Sequence, residues 1–276
     1  NRQKLAEMAA DYKASIIPAD LRILDMTGGF GVDSYAFAGT ARSVVYCERD
    51  VELVKIVQHN ASILGVKGLE CIAGDGMAYL QQCTVDQLDL IYVDPARRKS
   101  TRKVFRLEDC EPNILGYLPL FFEKSASLML KLSPMMDIQE AIRLLPGLYE
   151  LQVVSVDGEC KELLCRMKRG GISSPLSITA VALHQTSPVG PSAEKSIDKR
   201  SFTFNLSNEQ QAEMKLGPAQ HYLYEPDAAL LKAGAFRLTA TRYGLSKLHI
   251  NTHLYTAEDL KEDFMGIITR IVDVLP

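Results

Sequence analysis

Four acidic residues each close an apolar run: Asp25 after Leu21 to Leu24, Glu48 after Ser43 to Cys47, Asp75 after Leu69 to Ala73 and one glycine, and Asp94 after Leu88 to Val93. Apolar runs this short, bounded by turn signals, read as buried parallel strands. In an open parallel sheet a ligand sits outside the carboxyl ends of the strands, so the four acids are expected to converge on one crevice. A single acid after a strand is usually a helix cap or loop residue; four in succession point to a polar ligand. Gly28, Gly29 and Gly31 follow the first acid in LDMTGGFGVD. They let the backbone take positive φ and let a ligand approach with no Cβ in the way. Asp33 to Thr40 reads as the first turns of a helix, whose N-terminal N–H groups attract an anionic group. The sequence of strand, glycine turn and helix is that of a small-molecule cradle, the plain alternative being an ordinary βα connection.

Periodicity supplies the scaffold around these residues. Leu5, Met8, Ala9, Tyr12 and Ile16 form the stripe of an amphipathic helix that Pro18 ends. Val51 to Leu64 is a helix by the same test. Ser127 to Leu132, Leu151 to Val156 and Ser177 to Leu183 read as further strands, Ile138 to Leu145 as a short helix, and Cys160 to Met167 fits either helix or strand. Alternating βα units argue a doubly wound, Rossmann-like α/β sheet with an N-terminal helix, over residues 1–186. SPVGPS mixes Pro, Gly and Ser without periodicity and marks a linker, taken as 187–200. Residues 201–276 read as a smaller α+β domain. Within it Phe202 to Leu206 alternates like a strand and Asp227 to Tyr243 forms a helix stopped by Gly244. Thr256 and Asp259 resemble a capping box before another short helix, and Ile267 to Leu275 reads as a closing strand.

Of the 276 residues 47% are hydrophobic and 24% charged, an ordinary globular composition. No apolar run approaches a membrane span and the start, NRQKLAEMAADYK, lacks a signal-peptide pattern, so a cytoplasmic protein without membrane contact is expected. Asn1 in place of an initiator Met leads to the expectation of a trimmed start. The six cysteines show neither CxxC pairs nor histidine spacing, so neither structural zinc nor a disulfide is expected. His249 and His253 have metal-like spacing only on a helix, and Ile250 and Thr252 favour a strand or turn.

The ligand can be narrowed. A dinucleotide fingerprint, G-x-G-x-x-G, aligned on Gly29 and Gly31 puts Ser34 at the third glycine, which counts against NAD. An adenosine group still fits: Glu48, at the end of the next strand, stands where a carboxylate takes both ribose hydroxyls. Asp75 stands where one can accept from an adenine amino group, and Asp94 lies beside the reacting end.

With these residues in place the chain resembles the class I S-adenosylmethionine-dependent methyltransferases. LDMTGGFG is similar to their first motif, Glu48 to their ribose acid, Asp75 in GDG to their adenine-side acid, and YVDPARR (Tyr92 to Arg98) to their fourth motif. ERDVELVKIVQHNASILGV, with Asn60, resembles RNA-modifying members. DPARR together with YLYEPDAALLKAG, Tyr222 to Gly234, resembles the bacterial methyltransferases that carry a THUMP-like domain. The general resemblance covers residues 10–185. It implies S-adenosylmethionine as cofactor, held by Asp25, Thr27, Gly28, Gly29, Phe30, Gly31, Glu48, Arg49, Asp75, Gly76 and Asp94. It also implies an acceptor site at Asp94, Pro95 and Arg97, and a C-terminal domain that assists RNA binding. Phe30 could pack over the cofactor or plug the sheet edge.

In members that methylate exocyclic amines the fourth motif continues with a second Pro and an aromatic that stacks on the base. Here Ala96 and Arg97 stand instead, which argues against amine methylation of a flipped base and suits Arg97 to a phosphate or carbonyl oxygen. Cys110 has no activating neighbour in sequence and reads as structural. Net charge is −3, not the footprint of broad nucleic-acid binding. Yet Arg97, Arg98, Lys99, Arg102, Lys103 and Arg106 leave the fourth strand together, either as a solvated loop or as a basic loop that steers RNA to the methyl group. Lys161, Arg166, Lys168 and Arg169 could extend that patch. The sequence therefore supports an RNA methyltransferase, with a small-molecule or protein methyltransferase, or a cofactor-binding RNA-binding module without turnover, as alternatives.

Overall fold

A four-residue strand, β1 (Arg22–Asp25), is the middle one of five neighbouring parallel strands, its last three residues buried. A computed structural model describes residues 2–84, 86–97, 107–186 and 197–273, with Arg2, Arg97 and Asp109 described by backbone alone. The chain divides into two compact units, residues 1–149 with 163–174, and residues 150–162 with 175–276.

The first unit opens with α1 (Arg2–Ser15), followed by β1, α2 (Val32–Ala38), β2 (Ser43–Glu48), α3 (Val51–Ile63), β3 (Leu69–Ala73), α4 (Gly76–Gln82) and β4 (Leu88–Val93). A short antiparallel pair, β5 (Ala96–Arg97) with β6 (Cys110–Glu111), comes next, then α5 (Ile114–Lys124), β7 (Ser125–Leu132) and α6 (Ile138–Leu144). Its strands lie in the order β3-β2-β1-β4-β7, all parallel, so the order reverses between β1 and β4. That reversal opens a crevice above the carboxyl ends of these two strands. Beneath it Ala14, Ile23, Phe37, Val44, Leu90, Tyr92 and Met129 form one apolar cluster. Phe37 meets Tyr92 edge to face at 5.1 Å, an arrangement worth about 0.5–1.5 kcal/mol beyond the area it buries.

The next hairpin is β8 (Leu148–Val156) and β9 (Glu159–Lys168), turned by Asp157 and Gly158, both at positive φ as a two-residue type I′ turn requires. The segment 160–167 is thus a strand. The C-terminal part of β9 runs antiparallel to β7, so the sheet is mixed and not wholly parallel as expected. In the second unit β10 (Ser177–Gln185) pairs parallel with β8 and antiparallel with β11 (Ile197–Phe204). Residues 197–200, expected in the linker, are therefore the first half of a strand, held by eight paired positions on β10. Most of the expected linker, 187–196, lies outside the described residues.

Beyond β11 come α7 (Leu206–Gln211), β12 (Lys215–Leu216), β13 (Tyr222–Pro226), α8 (Ala228–Ala233), α9 (Phe236–Tyr243), β14 (Ser246–Lys247), β15 (Tyr255–Ala257) and β16 (Gly266–Arg270). A five-stranded sheet in the order β12-β14-β15-β13-β16 packs on a core of Tyr224, Ala240, Leu245, Tyr255 and Phe264. Three expectations are corrected here. Leu206 starts a helix capped by Asn205, whose side chain accepts from the Asn208 N–H, so the strand ends at Phe204. The single helix over 227–243 is two, because Gly234 turns left-handed at φ 81° and caps the first. Thr256 belongs to a strand, its hydroxyl bonded to the Tyr222 carbonyl, and among the described residues no helix comes after Asp259. Among the described residues no helix is long and apolar enough to cross a membrane.

Candidate active site

The glycine turn is fixed from below and from the side. Met26 N–H donates to the Tyr92 carbonyl (3.0 Å) and Gly28 N–H to the Cys47 carbonyl (2.9 Å), so the turn leaves β1 tied to both neighbouring strands. The Tyr46 hydroxyl donates to the Gly29 carbonyl at 2.5 Å, and its ring lies so close under Gly28 that a Cβ there would stand 2.1 Å from ring carbons. Gly31 caps α2 in the left-handed region at φ 74°. The three glycines thus answer to packing and backbone conformation together.

Asp25 does not compete for a ligand. It is 1% exposed, and its two carboxylate oxygens accept from the Thr27 N–H (3.1 Å) and the Ser34 hydroxyl (2.6 Å). Burial pushes its carboxyl up to about 7; the Ser34 and Thr27 hydrogen bonds oppose that rise, and the charges of Asp33 and Asp94 add to it. Ser34, where a dinucleotide fold would place glycine, thus serves as the partner of a buried acid.

The other three strand-end acids converge. A cavity of about 290 Å³ is lined by Met26 and Thr27 after β1, Glu48 and Arg49 after β2, Asp75, Gly76 and Met77 after β3, and Asp94 after β4. Ala96, Glu111 and Pro112 line it as well, from the β5–β6 region. Thr27 Oγ1 accepts the Asp94 N–H at 2.7 Å, joining the two strand ends across the reversal point. Glu48 Oε2 accepts from Gly29 N–H (3.0 Å) and Oε1 from Asp50 N–H (2.9 Å), which holds the carboxylate between the glycine turn and α3.

Asp75 is more heavily engaged than its sequence position suggested. Its Oδ1 caps α4, accepting from Met77 N–H (2.7 Å) and Ala78 N–H (3.2 Å), and its Oδ2 lies 2.5 Å from Arg49. Partial burial raises this carboxyl, but the Ala78 and Met77 N–H groups and the Arg49 guanidinium outweigh it and hold the group below the usual range. Arg49 also reaches Glu111 at 2.7 Å, tying two walls of the cavity together.

Several expected residues lie elsewhere. Phe30 is 73% exposed and lines a separate groove of about 930 Å³ with residues of α1, α2 and α3, away from the acids. Pro95 is buried after Asp94. Arg97 is described by its backbone, paired with Cys110; Arg98, Lys99, Arg102, Lys103 and Arg106 lie outside the described residues. Cys110 is wholly buried. Of the second basic group, Lys161 pairs with Glu159 (2.5 Å), Arg169 with Asp86 (2.5 Å), and Arg166 sits over the Tyr149 ring. His253 stacks on Phe236 while His249 Nδ1 accepts from the Asn251 N–H, and no metal-holding cluster occurs among the described residues.

Sequence reasoning missed the basic side of the site. Lys131, at the carboxyl end of β7, places Nζ 2.5 Å from Asp94 Oδ2 and 3.7 Å from Asp33 Oδ2. Lys13 of α1, with its side chain 1% exposed, lies 3.1 Å from Asp33 Oδ1, and the Tyr92 hydroxyl donates to Asp33 Oδ2 (2.6 Å). Lys131 is the penultimate residue of the next apolar run, Ser127 to Leu132, so a rule that looks only at the residue closing each run passes over it. Lys13 carried its own signal, standing four residues after Ala9 on the apolar stripe.

Residues 21–98, which hold the glycine turn and all four strand-end acids, match a family model described as RNA cap guanine-N2 methyltransferase, and residues 222–264 match one described as a ferredoxin-like domain. A protein of Mycobacterium tuberculosis named as an uncharacterized S-adenosylmethionine-dependent methyltransferase is 25% identical over 225 residues, 81% of this chain and 55% of its own length. An uncharacterized RNA methyltransferase of Mycoplasma mobile is 27% identical over 105 residues, 38% of this chain and 29% of its own. The chain thus spans about half the length, or less, of these curated relatives. A Porphyromonas gingivalis W83 protein, provisionally described as a methyltransferase, has a crystal structure that superposes with a TM-score of 0.81 at 33% identity, covering 96% of this chain and 64% of that one. The chain therefore has an α/β fold like that of this Porphyromonas gingivalis protein, with a ferredoxin-like region towards its C-terminus.

Proposed function

We propose that this protein is an S-adenosylmethionine-dependent methyltransferase and that its acceptor is RNA. The observation that carries the first half is the convergence of Glu48, Asp75 and Asp94 on one cavity beside the glycine turn, at the reversal of a parallel sheet. The donor set fits the cofactor. Carboxylates suit a ribose diol and an adenine amino group, while Met26, Cys47 and Met77 supply apolar wall. When bound, the cofactor supplies an electrophilic methyl group on a sulfonium. The protein's part is positional: Glu48 would hold the ribose hydroxyls, Asp75 would accept from the adenine amino group, and Asp94 would accept a hydrogen bond from the incoming acceptor.

The RNA half is supported by the descriptions of the family model over 21–98 and of the Mycoplasma mobile relative, and by the basic run from Arg97 to Lys103. In this reading Pro95 and Arg97 shape the acceptor side, residues 201–276 form a THUMP-like accessory domain, and the cofactor set is the one expected from the motifs, with Asp25 and Phe30 acting indirectly.

Calorimetry with S-adenosylmethionine tests the cofactor. Wild type should bind, and Glu48→Ala should weaken binding by about ten- to a hundredfold, the worth of charge-assisted hydrogen bonds. Absence of binding, or binding unchanged by the substitution, refutes the reading. For the acceptor, Arg97→Ala with Arg98→Ala should lower RNA affinity and reduce its salt dependence by about two counterions, an unchanged slope arguing for a different acceptor. Mass spectrometry of RNA from a deletion strain should then reveal the missing methylated nucleoside.

A further inference from the structure

Two acids and two lysines alternate from the N-terminal helix to the cavity: Lys13, Asp33, Lys131, Asp94, with separations of 3.1, 3.7 and 2.5 Å. Lys13 is almost wholly buried on α1, and Asp33 stands in the first turn of α2. Burial alone would raise the Asp33 carboxyl, yet the Lys13 and Lys131 ammonium groups and the Tyr92 hydroxyl more than offset it and keep the acid low, hence ionised. The buried Lys13–Asp33 pair contributes little net stability, since desolvation cancels most of the attraction, and the Lys131–Asp94 pair, 27% and 41% exposed, is worth about 1 kcal/mol or less because water screens it. A chain of four charges leading to the one acid on the acceptor side of the cavity therefore calls for a reason other than folding.

We propose that Lys131 is a positioning residue that holds Asp94 by Oδ2 and cancels its charge, so that the site receives a neutral acceptor, a hydroxyl or an unprotonated amine, and disfavours a protonated one. The inference rests on the cofactor reading given above. Asp33 braces Lys131 from behind and Lys13 braces Asp33, so the ammonium is set by α1 and α2 rather than by solvent. Among the described residues the charged groups around Asp94 are Lys131 on β7, backed by Asp33 on α2 and Lys13 on α1, Asp25 on β1, and Glu48, Arg49, Asp75 and Glu111, which line the same cavity. With both lysines in place Asp33 and Asp94 are compensated, and Asp25 is the acid that titrates near neutrality. Without Lys131 the cavity would present an uncompensated carboxylate that attracts cations.

Two cofactor analogues separate these cases without any acceptor. S-adenosylhomocysteine lacks the methyl group, and sinefungin carries an ammonium on carbon where the methyl stands. Calorimetry with both ligands should give similar affinities in wild type. Lys131→Met should shift the ratio towards sinefungin on the order of tenfold, the effect of one newly exposed charge at a few ångströms in a partly solvated site. Lys131→Arg should restore the wild-type ratio, and Asp94→Asn, which leaves the Lys13, Asp33 and Lys131 group with one positive charge in excess, should shift it the opposite way. Asp94→Asn keeps the test intact should Lys131→Met fail to fold. A ratio unmoved by Lys131→Met or Asp94→Asn while both ligands bind overturns the role of Lys131 alone. If neither ligand binds wild type, the cofactor reading falls and this inference with it.

Discussion

Replacing Asp25 by Asn isolates one charge at the base of the site. The folded carboxyl titrates at about 7 against an ordinary 3.8, because burial outweighs its hydrogen bonds to Ser34 and Thr27. The folded state thus holds the proton more tightly than the unfolded chain. As pH rises above about 4 the unfolded state ionises first and stability falls; above about 7 the loss levels off. At about 1.4 kcal/mol per pH unit the full penalty is on the order of 4 kcal/mol, and the part that develops between pH 5 and pH 8 is about 2.5 kcal/mol. Asn mimics the protonated acid: its oxygen accepts the Thr27 N–H, while its NH₂ donates to the Ser34 oxygen, since a hydroxyl can turn from donor to acceptor. Urea unfolding of wild type and Asp25→Asn at half-unit steps from pH 5 to pH 8 reads the difference directly, because every other titrating group is common to both. The stability gap should move in favour of the variant by about 2.5 kcal/mol across that range. Parallel profiles would show that Asp25 ionises normally despite its burial and would refute the account.

Gly28→Ala should cost about 1–3 kcal/mol in stability and weaken S-adenosylmethionine binding, since the new Cβ lies 2.1 Å from the Tyr46 ring; pairing it with Tyr46→Val should recover part of the loss in a thermal melt. In the second unit, Asp227 is buried, caps α8 through Ala229 N–H (2.8 Å) and accepts from the Ser155 hydroxyl (2.5 Å). Asp227→Ala should lower the urea-unfolding free energy by about 2–4 kcal/mol, the sum of a lost cap and a lost charge-assisted hydrogen bond from Ser155, whose hydroxyl keeps the Val181 carbonyl (3.3 Å), while Asp227→Asn retains most of it. Arg49→Ala removes two ion pairs, to Asp75 and Glu111, that are largely in water, so it should change stability by less than about 1 kcal/mol in the same assay.

The strand-end acids were legible because each is local. An apolar run of strand length ends, the chain turns, and a carboxylate stands at the turn, so Glu48, Asp75 and Asp94 can be read one at a time and brought together by the geometry of a parallel sheet. The glycine turn was legible for the same reason. Pairing was not. Lys131 meets Asp94 across 37 residues and Lys13 meets Asp33 across 20, distances in sequence that only the strand order β1-β4-β7 and the seat of α1 on α2 close. The direction of β9 depended on an Asp157–Gly158 turn, a local signal that apolar periodicity alone passes over. The fate of the acids was likewise tertiary: Asp25 is sealed by Ser34 and Thr27, Asp75 is shared with α4 and Arg49, and Asp94 is held by Lys131. Local sequence thus says which groups stand at the sheet's carboxyl edge. Which of them keep their charge is settled only when the chain packs, because ionisation depends on burial and on partners brought from other strands.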